Sequence, residues 1–510
     1  MSKLRTRATL IVASVLAGAA VVFAVPTTAH AAVEDDGADC PVAASPTVST
    51  AQMPDPFTRI DGTRITTTGD WRCRRAEIRE MAERHVYGQK PARPSTVTGT
   101  VSSSGVTVNV TDQGRSASFS AGVQLPTTGS GPYPAVVVFG GFGADTTTIR
   151  NSGAAVISFD PLAVGREGTG RASKQGAFYT LYGSTSTTGI LMAWSWGVSR
   201  IIDVIEQSGG SILRADAVGV TGCSRYGKGA IAAGAFDQRV ALTMPIESGT
   251  GGVPLLRAVP GESGAQPLSS AYNEQPWLGD AFGSFTGNPN SLPVDNHELV
   301  GLVAPRGLFI MENPHVDWLA ARSGSVSALG GAEIYKALGV GGNISYWSDV
   351  SDGTHCASRS EWQAPLQQHI QKFLLKTGSS TGTFRISSRK QGELSQWRTW
   401  QTPALTGSPS SPPPSSPPPS AGSCTATITP GTVWGDRYNT SVTVSGATNW
   451  TVNVGITAPQ QVTTTWSGTF TSSGGTLTVR PNGSGNTFGF TTMMNGNSSA
   501  RPRIVSCITG

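Results

Sequence analysis

The stretch VGVTGCSRYGKGA at residues 218–230 constrains the fold more than any other part of the chain. Val218, Val220 and Thr221 read as the end of a buried strand. Tyr226 to about Phe236 reads as a helix with small residues on its packing face. Gly222-Cys223-Ser224-Arg225-Tyr226-Gly227 is the turn between them. A serine on a tight strand-to-helix turn is lifted above the sheet edge, with a helix N-terminus behind it to favour a developing negative charge. The pattern is not G-x-S-x-G, because the second glycine falls three residues after the serine. A glycine-rich βα turn with an incidental serine is the competing reading.

The rest of the chain supplies the sheet. Residues 133–139 (YPAVVVF) form a continuous apolar run, as a buried parallel strand should. Further strands are expected at 155–159, 240–246, 307–311 and 344–347, with helices at 190–207 and 362–374. Leu191, Trp194, Val198, Ile201, Ile202 and Ile205 recur at helical spacing. Upstream, residues 74–87 have helical character. The segments 96–110 and 116–123 alternate polar and apolar, as half-buried antiparallel strands do. Residues 32–50 read as a flexible lead-in. Strands alternating with helices predict a mostly parallel sheet covered on both faces, the three-layer α/β-hydrolase sandwich. Gly140-Gly141-Phe142-Gly143 follows an early strand, where that fold often places a second oxyanion donor.

Both ends differ from this middle. Residues 1–31 carry a basic start, an apolar run from Leu10 to Val25 and Ala29-His30-Ala31 as a cleavage site, the pattern of a secretory signal peptide. Residues 406–423 are a Pro/Ser-rich spacer. Residues 424–507 are rich in Thr, Ser, Asn and Gly and built of short alternating runs, which predicts a small all-β sandwich. The hydrolase domain then occupies residues 32–405. An even count of six cysteines in an exported chain predicts three disulfides. Cys424 and Cys507 bracket the last segment, Cys40 and Cys73 are both N-terminal, and Cys223 is left with Cys356. The formal charge of +5 falls by three once Lys3, Arg5 and Arg7 are discounted, and no basic patch interleaved with aromatics points to nucleic acid. No stretch beyond the signal is long and apolar enough to cross a bilayer.

A serine nucleophile needs a base. His355 lies on a Gly-containing loop after the last strand, C-terminal to the serine, where α/β-hydrolases carry it. His315 is the rival; His85, His297 and His369 lie in or near probable helices. Three acids could orient the imidazole: Glu247, which ends the strand after the serine turn, Asp317, after the next strand, and Asp352. Position alone favours Asp317.

The run GCSRYGKGA, Glu247 in IESGTGG, NPHVDWL at 313–319 and DGTHC at 352–356 resemble the glucuronoyl esterases of carbohydrate esterase family 15. MPDPF, WRCRRAEI and APRGL are also similar to that family, so the resemblance spans roughly residues 40–405. It implies Ser224 as nucleophile, His355 as base and Glu247 as acid, with Arg225 assisting the oxyanion. It implies Lys228, Gln266, Glu274 and Trp318 as sugar contacts, and it matches the Cys40–Cys73 and Cys223–Cys356 bridges. Packing in the core is the competing reading for Trp318. The tail resembles family 2 carbohydrate-binding modules, with Trp434 and Trp466 at ligand-facing positions and Trp450 in the core.

These resemblances imply a secreted, monomeric serine esterase that cleaves esters of (4-O-methyl-)glucuronic acid between xylan and lignin alcohols. The tail would tether it to cellulose or xylan. No metal or other cofactor is expected, since no H-E-x-x-H or Cys/His cluster occurs. An acetyl or feruloyl xylan esterase, or a non-catalytic polysaccharide-binding protein, is the alternative.

Overall fold

The computed structural model describes residues 33–407 and 424–509, apart from positions 379, 458, 474 and 499. The expected signal peptide and residues 408–423 of the expected spacer lie outside the described residues. Thr96–Val101 (β1), Gly105–Asp112 (β2) and Arg115–Gln124 (β3) pair antiparallel. Their burial alternates, as one-sided strands require: Val106, Val108 and Val110 face inwards, Thr107 and Asn109 outwards. Tyr133–Phe139 (β4), Ala155–Phe159 (β5), Leu213–Cys223 (β6), Val240–Ile246 (β7), Gly307–Met311 (β8), Ile344–Trp347 (β9) and Phe384–Arg385 (β10) complete the sheet. Its order is β1-β2-β3-β5-β4-β6-β7-β8-β9-β10. β3 meets β5 antiparallel, and every later pairing is parallel.

The helices are Thr68–Ala82 (α1), Thr146–Asn151 (α2), Ala177–Tyr182 (α3), Ile190–Gln207 (α4), Arg225–Phe236 (α5), Leu268–Glu274 (α6), Asn296–Val303 (α7), Ala321–Ala337 (α8) and Ser360–His369 (α9). They fall on two sides of the sheet. Val137 and Phe139 of β4 join a core with α1, α4, α5, α7 and α8, while Val136 and Val138 join another with α2 and α9. A strand covered on both faces has no polar side, which is why β4 reads as an unbroken apolar run. Helices on both faces, with the serine turn ending β6, make this the three-layer α/β-hydrolase arrangement.

The helix expected at 190–207 is α4, and its burial goes beyond its apolar positions: every residue from Ile190 to Ile205 is buried, Ser195, Ser199, Arg200 and Asp203 included. The β1–β2 hairpin covers its second side: a Cβ on Gly99 would come within 2.9 Å of Val204 Cγ2. The buried charges answer one another, Arg200 Nε donating to Asp203 Oδ2 at 2.7 Å.

The lead-in expected to be flexible is fastened from Glu34 to Cys40. Cys40 is bonded to Cys73. Asp35 pairs with Arg79, and Asp36 and Asp39 with Arg72. Glu34 reaches Lys90 Nζ at 2.8 Å, Arg200 Nη2 at 2.5 Å and Arg239 Nη2 at 3.5 Å. Burial alone would raise the Glu34 carboxyl, but these three cations hold it far below the ordinary carboxylate range. Four acids in a short segment look solvated in one dimension. In three they meet arginines of α1 and cations of the core.

The C-terminal region is a separate all-β unit closed by Cys424–Cys507. Thr425–Val433 (β11), Arg437–Ser445 (β12), Trp450–Gly455 (β13), Gln461–Trp466 (β14), Thr469–Ser473 (β15), Thr476–Arg480 (β16), Thr487–Met493 (β17) and Arg503–Thr509 (β18) form two sheets. Their orders are β11-β12-β17-β14 and β15-β16-β13-β18. Trp450 is fully buried against Phe488, its indole N–H donating to Asn486 Oδ1 at 3.0 Å. Trp434 and Trp466 are exposed, and Trp466 lies over Gly489, where a Cβ would come within 2.2 Å of its ring.

Candidate active site

β6 and α5 meet at Ser224, which adopts φ 60° and ψ −126°, a positive-φ conformation that residues with side chains seldom take. Its surroundings enforce it. The Ser224 N–H donates to Ile246 O at 2.9 Å. A Cβ on Gly222 would lie 2.7 Å from Tyr226 O, and one on Gly227 would lie 2.5 Å from Ile246 O. The second glycine stands three residues after the serine because that is where α5 crosses the end of β7.

The expected base and acid arrive from neighbouring strand ends. Glu247 is the first residue after β7; it is fully buried, has φ 45°, and its N–H donates to Met311 O at 2.8 Å. Its Oε2 accepts from His355 Nδ1 at 2.6 Å and from the Cys356 N–H at 2.9 Å. A carboxylate at Nδ1 fixes the tautomer, leaving Nε2 as the nitrogen that can take a proton. The Cys223–Cys356 bond ties the residue before Ser224 to the residue after His355. The sulfurs lie with Glu247 and His355 in a tight His/Cys/acid cluster, but the disulfide removes both thiolates and Glu247 is committed to His355.

The other histidines face elsewhere. His315 Nε2 sits 3.0 Å from Val350 O. His297 and His369 are buried, which pushes each to a pKa of about 4, and His369 stacks on Phe309. His85, half-buried, packs edge-on against Phe285. Asp317, favoured by position alone, points to solvent and pairs with Lys390 Nζ at 3.0 Å. A short 3-10 turn at Asp317–Leu319 carries it away from the imidazole. Asp352 Oδ1 accepts from the Thr354 N–H at 2.7 Å. In the loop after β4, the Gly140 N–H donates to Phe159 O at 3.0 Å, so that amide is committed to the sheet.

Ser224 and His355 open on one cleft of about 530 Å³, and Arg225, Lys228, Gln266, Glu274 and Trp318 all line it. Lys228, one helical turn beyond the serine, is buried, and its Nζ donates to Ser248 O at 2.5 Å. Burial brings its pKa down to about 8, against the opposing pull of Glu274 and Glu312. Gln266 Nε2 donates to Glu274 Oε2 at 2.7 Å, and its backbone N–H to Trp318 O at 3.1 Å. Trp318 is 54% exposed and meets the His355 ring in a T-shaped contact, 6.0 Å between centroids, which removes the core-packing reading.

A family model described as glucuronyl esterase of fungi matches residues 108–339. A 4-O-methyl-glucuronoyl methylesterase of Hypocrea jecorina is 39% identical over 362 residues, 70% of this chain and 77% of that protein. One from Neurospora crassa is 39% identical over 373 residues, 72% of this chain and 93% of that one. The chain belongs to the glucuronoyl esterases, carbohydrate esterase family 15. Among solved members of that family, the catalytic domain from Hypocrea jecorina superposes with a TM-score of 0.67 at 37% identity, covering 72% of this chain and all of that one. A mutant glucuronoyl esterase from Sporotrichum thermophile, in complex with methyl 4-O-methyl-β-D-glucopyranuronate, gives 0.67 at 36% identity over the same shares.

Sequence reading passed over other residues at and beside this glucuronoyl esterase's cleft. Trp277 lines it, 5.4 Å from Lys228 Nζ to ring centroid. Glu167 bridges Trp277 to Arg225, the residue after Ser224, accepting from Trp277 Nε1 at 2.6 Å and from Arg225 Nη1 at 3.1 Å. Glu312, the first residue after β8, is fully buried, and burial followed by the Glu247 charge raises its carboxyl well above the usual range. Glu167 and Trp277 lie in irregular segments whose residues follow no period.

Proposed function

We propose that this chain is a secreted serine esterase acting on esters of 4-O-methyl-D-glucuronic acid, and that in biomass these are the ester links between glucuronoxylan and lignin. The observation that carries the reading is the Ser224 turn facing the His355–Glu247 couple across a cleft lined by Lys228, Gln266, Glu274 and Trp318. His355 Nε2 takes the proton of Ser224 Oγ as the oxygen attacks the ester carbonyl. Arg225, at the first position of α5, stabilises the tetrahedral oxyanion. The C–O bond to the alcohol breaks, and the alkoxide leaves with the proton from His355. Water, activated by the same imidazole, then releases the uronic acid and restores Ser224. Lys228, Gln266 and Glu274 offer donors and an acceptor for ring hydroxyls, and Trp318 offers an exposed aromatic face.

Residues 1–31 serve as the export signal and 32–405 as the esterase domain; 406–423 act as spacer, and 424–507 hold polysaccharide through Trp434 and Trp466. The three disulfides support an oxidising, extracellular setting. The decisive experiment compares benzyl glucuronate with acetyl and feruloyl esters, with Ser224→Ala as control. Turnover of the glucuronate ester alone, reduced by at least about a thousandfold in the variant, is the expected result. Serine-dependent turnover of acetyl or feruloyl esters instead would overturn the substrate assignment, and undiminished turnover in the variant would overturn the nucleophile.

A further inference from the structure

We propose that Arg359 is a positioning residue for the catalytic couple: its guanidinium is the fixed positive charge against which the Glu247 carboxylate and the His355 loop are set. The inference rests on the Ser224–His355–Glu247 assignment above.

Glu247 has no solvent to share its charge. Its Oε2 is satisfied by His355 Nδ1–H and the Cys356 N–H. Its Oε1 faces Asn313 Nδ2 at 3.5 Å and Arg359 Nε at 3.8 Å. Among the described residues, Arg359 is the one lysine or arginine within ion-pair distance of this carboxylate. A base must start neutral to take the serine proton, and without an imidazolium beside it the buried Glu247 carboxylate needs another countercharge, because an unpaired buried carboxylate is strongly disfavoured. The neighbouring acid Glu312 is fully buried, its carboxyl raised well above the usual range by burial and then by the Glu247 charge, and it offers no countercharge.

The consequence reaches the tautomer of His355. An ionised Glu247 only accepts, so Nδ1 must carry the proton and Nε2 keeps the lone pair that receives the serine proton. A protonated Glu247 would donate to Nδ1 and place the ring proton on Nε2, the wrong nitrogen. Arg359 favours the first arrangement. It also grips the loop that carries His355: Nη2 donates to Thr354 O at 2.7 Å, and Nη1 lies 3.5 Å from Asp352 Oδ1. The guanidinium is itself held, 2% exposed and 5.4 Å from the Trp362 ring centroid.

The test is a double-mutant cycle on benzyl glucuronate with Arg359→Met, Arg359→Lys, Glu247→Gln and the Met/Gln double variant, each checked for native near-UV circular dichroism. Arg359→Met is expected to lower kcat by about 10- to 100-fold with KM within about twofold, and Arg359→Lys to recover most of the loss. On the Glu247→Gln background, where no carboxylate charge remains, the same change should cost less than about threefold. Equal losses on both backgrounds, an unchanged kcat in Arg359→Met, or no recovery with lysine in a native-like protein would overturn the proposal. Full activity in Glu247→Gln alone would instead overturn the underlying acid assignment.

Discussion

Lys228 meets the cleft as a cation under burial, with a pKa near 8 where an exposed lysine titrates at 10.5. Raising the pH from 7 to 9 therefore takes its charged fraction from about nine-tenths to about one-tenth. The neutral amine keeps fewer donors, and Ser248 O already engages one. KM for the glucuronate ester is expected to rise up to about tenfold over that range, with kcat changing less. In Lys228→Met, KM should be high at pH 7 and flat with pH. Initial rates corrected for spontaneous hydrolysis decide it, and a flat KM in the native enzyme would sink the claim. Ser224 and His355 are named from their places at strand ends, and Lys228 through the family resemblance, one helical turn beyond the serine. Position alone does not reach Glu247, which also comes through the resemblance: order along the chain favours Asp317, and the path of the 313–320 segment turns Asp317 outwards.

Elements with one dominant environment announced themselves. β4 and β7 are buried on both faces and read as apolar runs; β2 is covered on one face and alternates. What stayed hidden depends on contacts between distant segments. The full burial of α4 follows from a hairpin that ends at Asp112, well upstream of Ile190, and the docking of residues 34–40 follows from cations at positions 72, 79, 90, 200 and 239. That docking carries its own prediction. Glu34→Gln leaves the fully buried Lys90 with no ion-pair partner among the described residues and Arg200 with Asp203 alone, and should destabilise the fold by about 3–5 kcal/mol at pH 7. Because the folded-state carboxyl titrates far below its ordinary value of 4.5, the contribution is complete above about pH 4.5 and declines only as pH falls towards the folded value. Urea unfolding of both proteins at pH 7 and pH 4 measures the gap; a difference under about 1 kcal/mol at pH 7 would mean the strap is not held by this charge.

At the scale of the whole molecule, the proposed function divides the work between two units, each of which should then fail alone. Trp434 and Trp466 are exposed on the β-unit, and flat aromatic faces suit the C–H side of a pyranose. The double Trp434→Ala, Trp466→Ala variant is expected to lose about tenfold or more in retention on cellulose or xylan while hydrolysing soluble benzyl glucuronate at the native rate. Retention unchanged by the double substitution would place polysaccharide binding elsewhere.

The Cys223–Cys356 bond carries a consequence for the opened chain. Its partners are 133 residues apart in sequence and 5.8 Å apart between Cα atoms, with β7, β8 and β9 of the central sheet between them along the chain. A cross-link closing so long a loop restricts the unfolded chain far more than the folded one. The serine turn and the His355 loop thus stay neighbours even when the sheet between them opens, for as long as the surroundings remain oxidising.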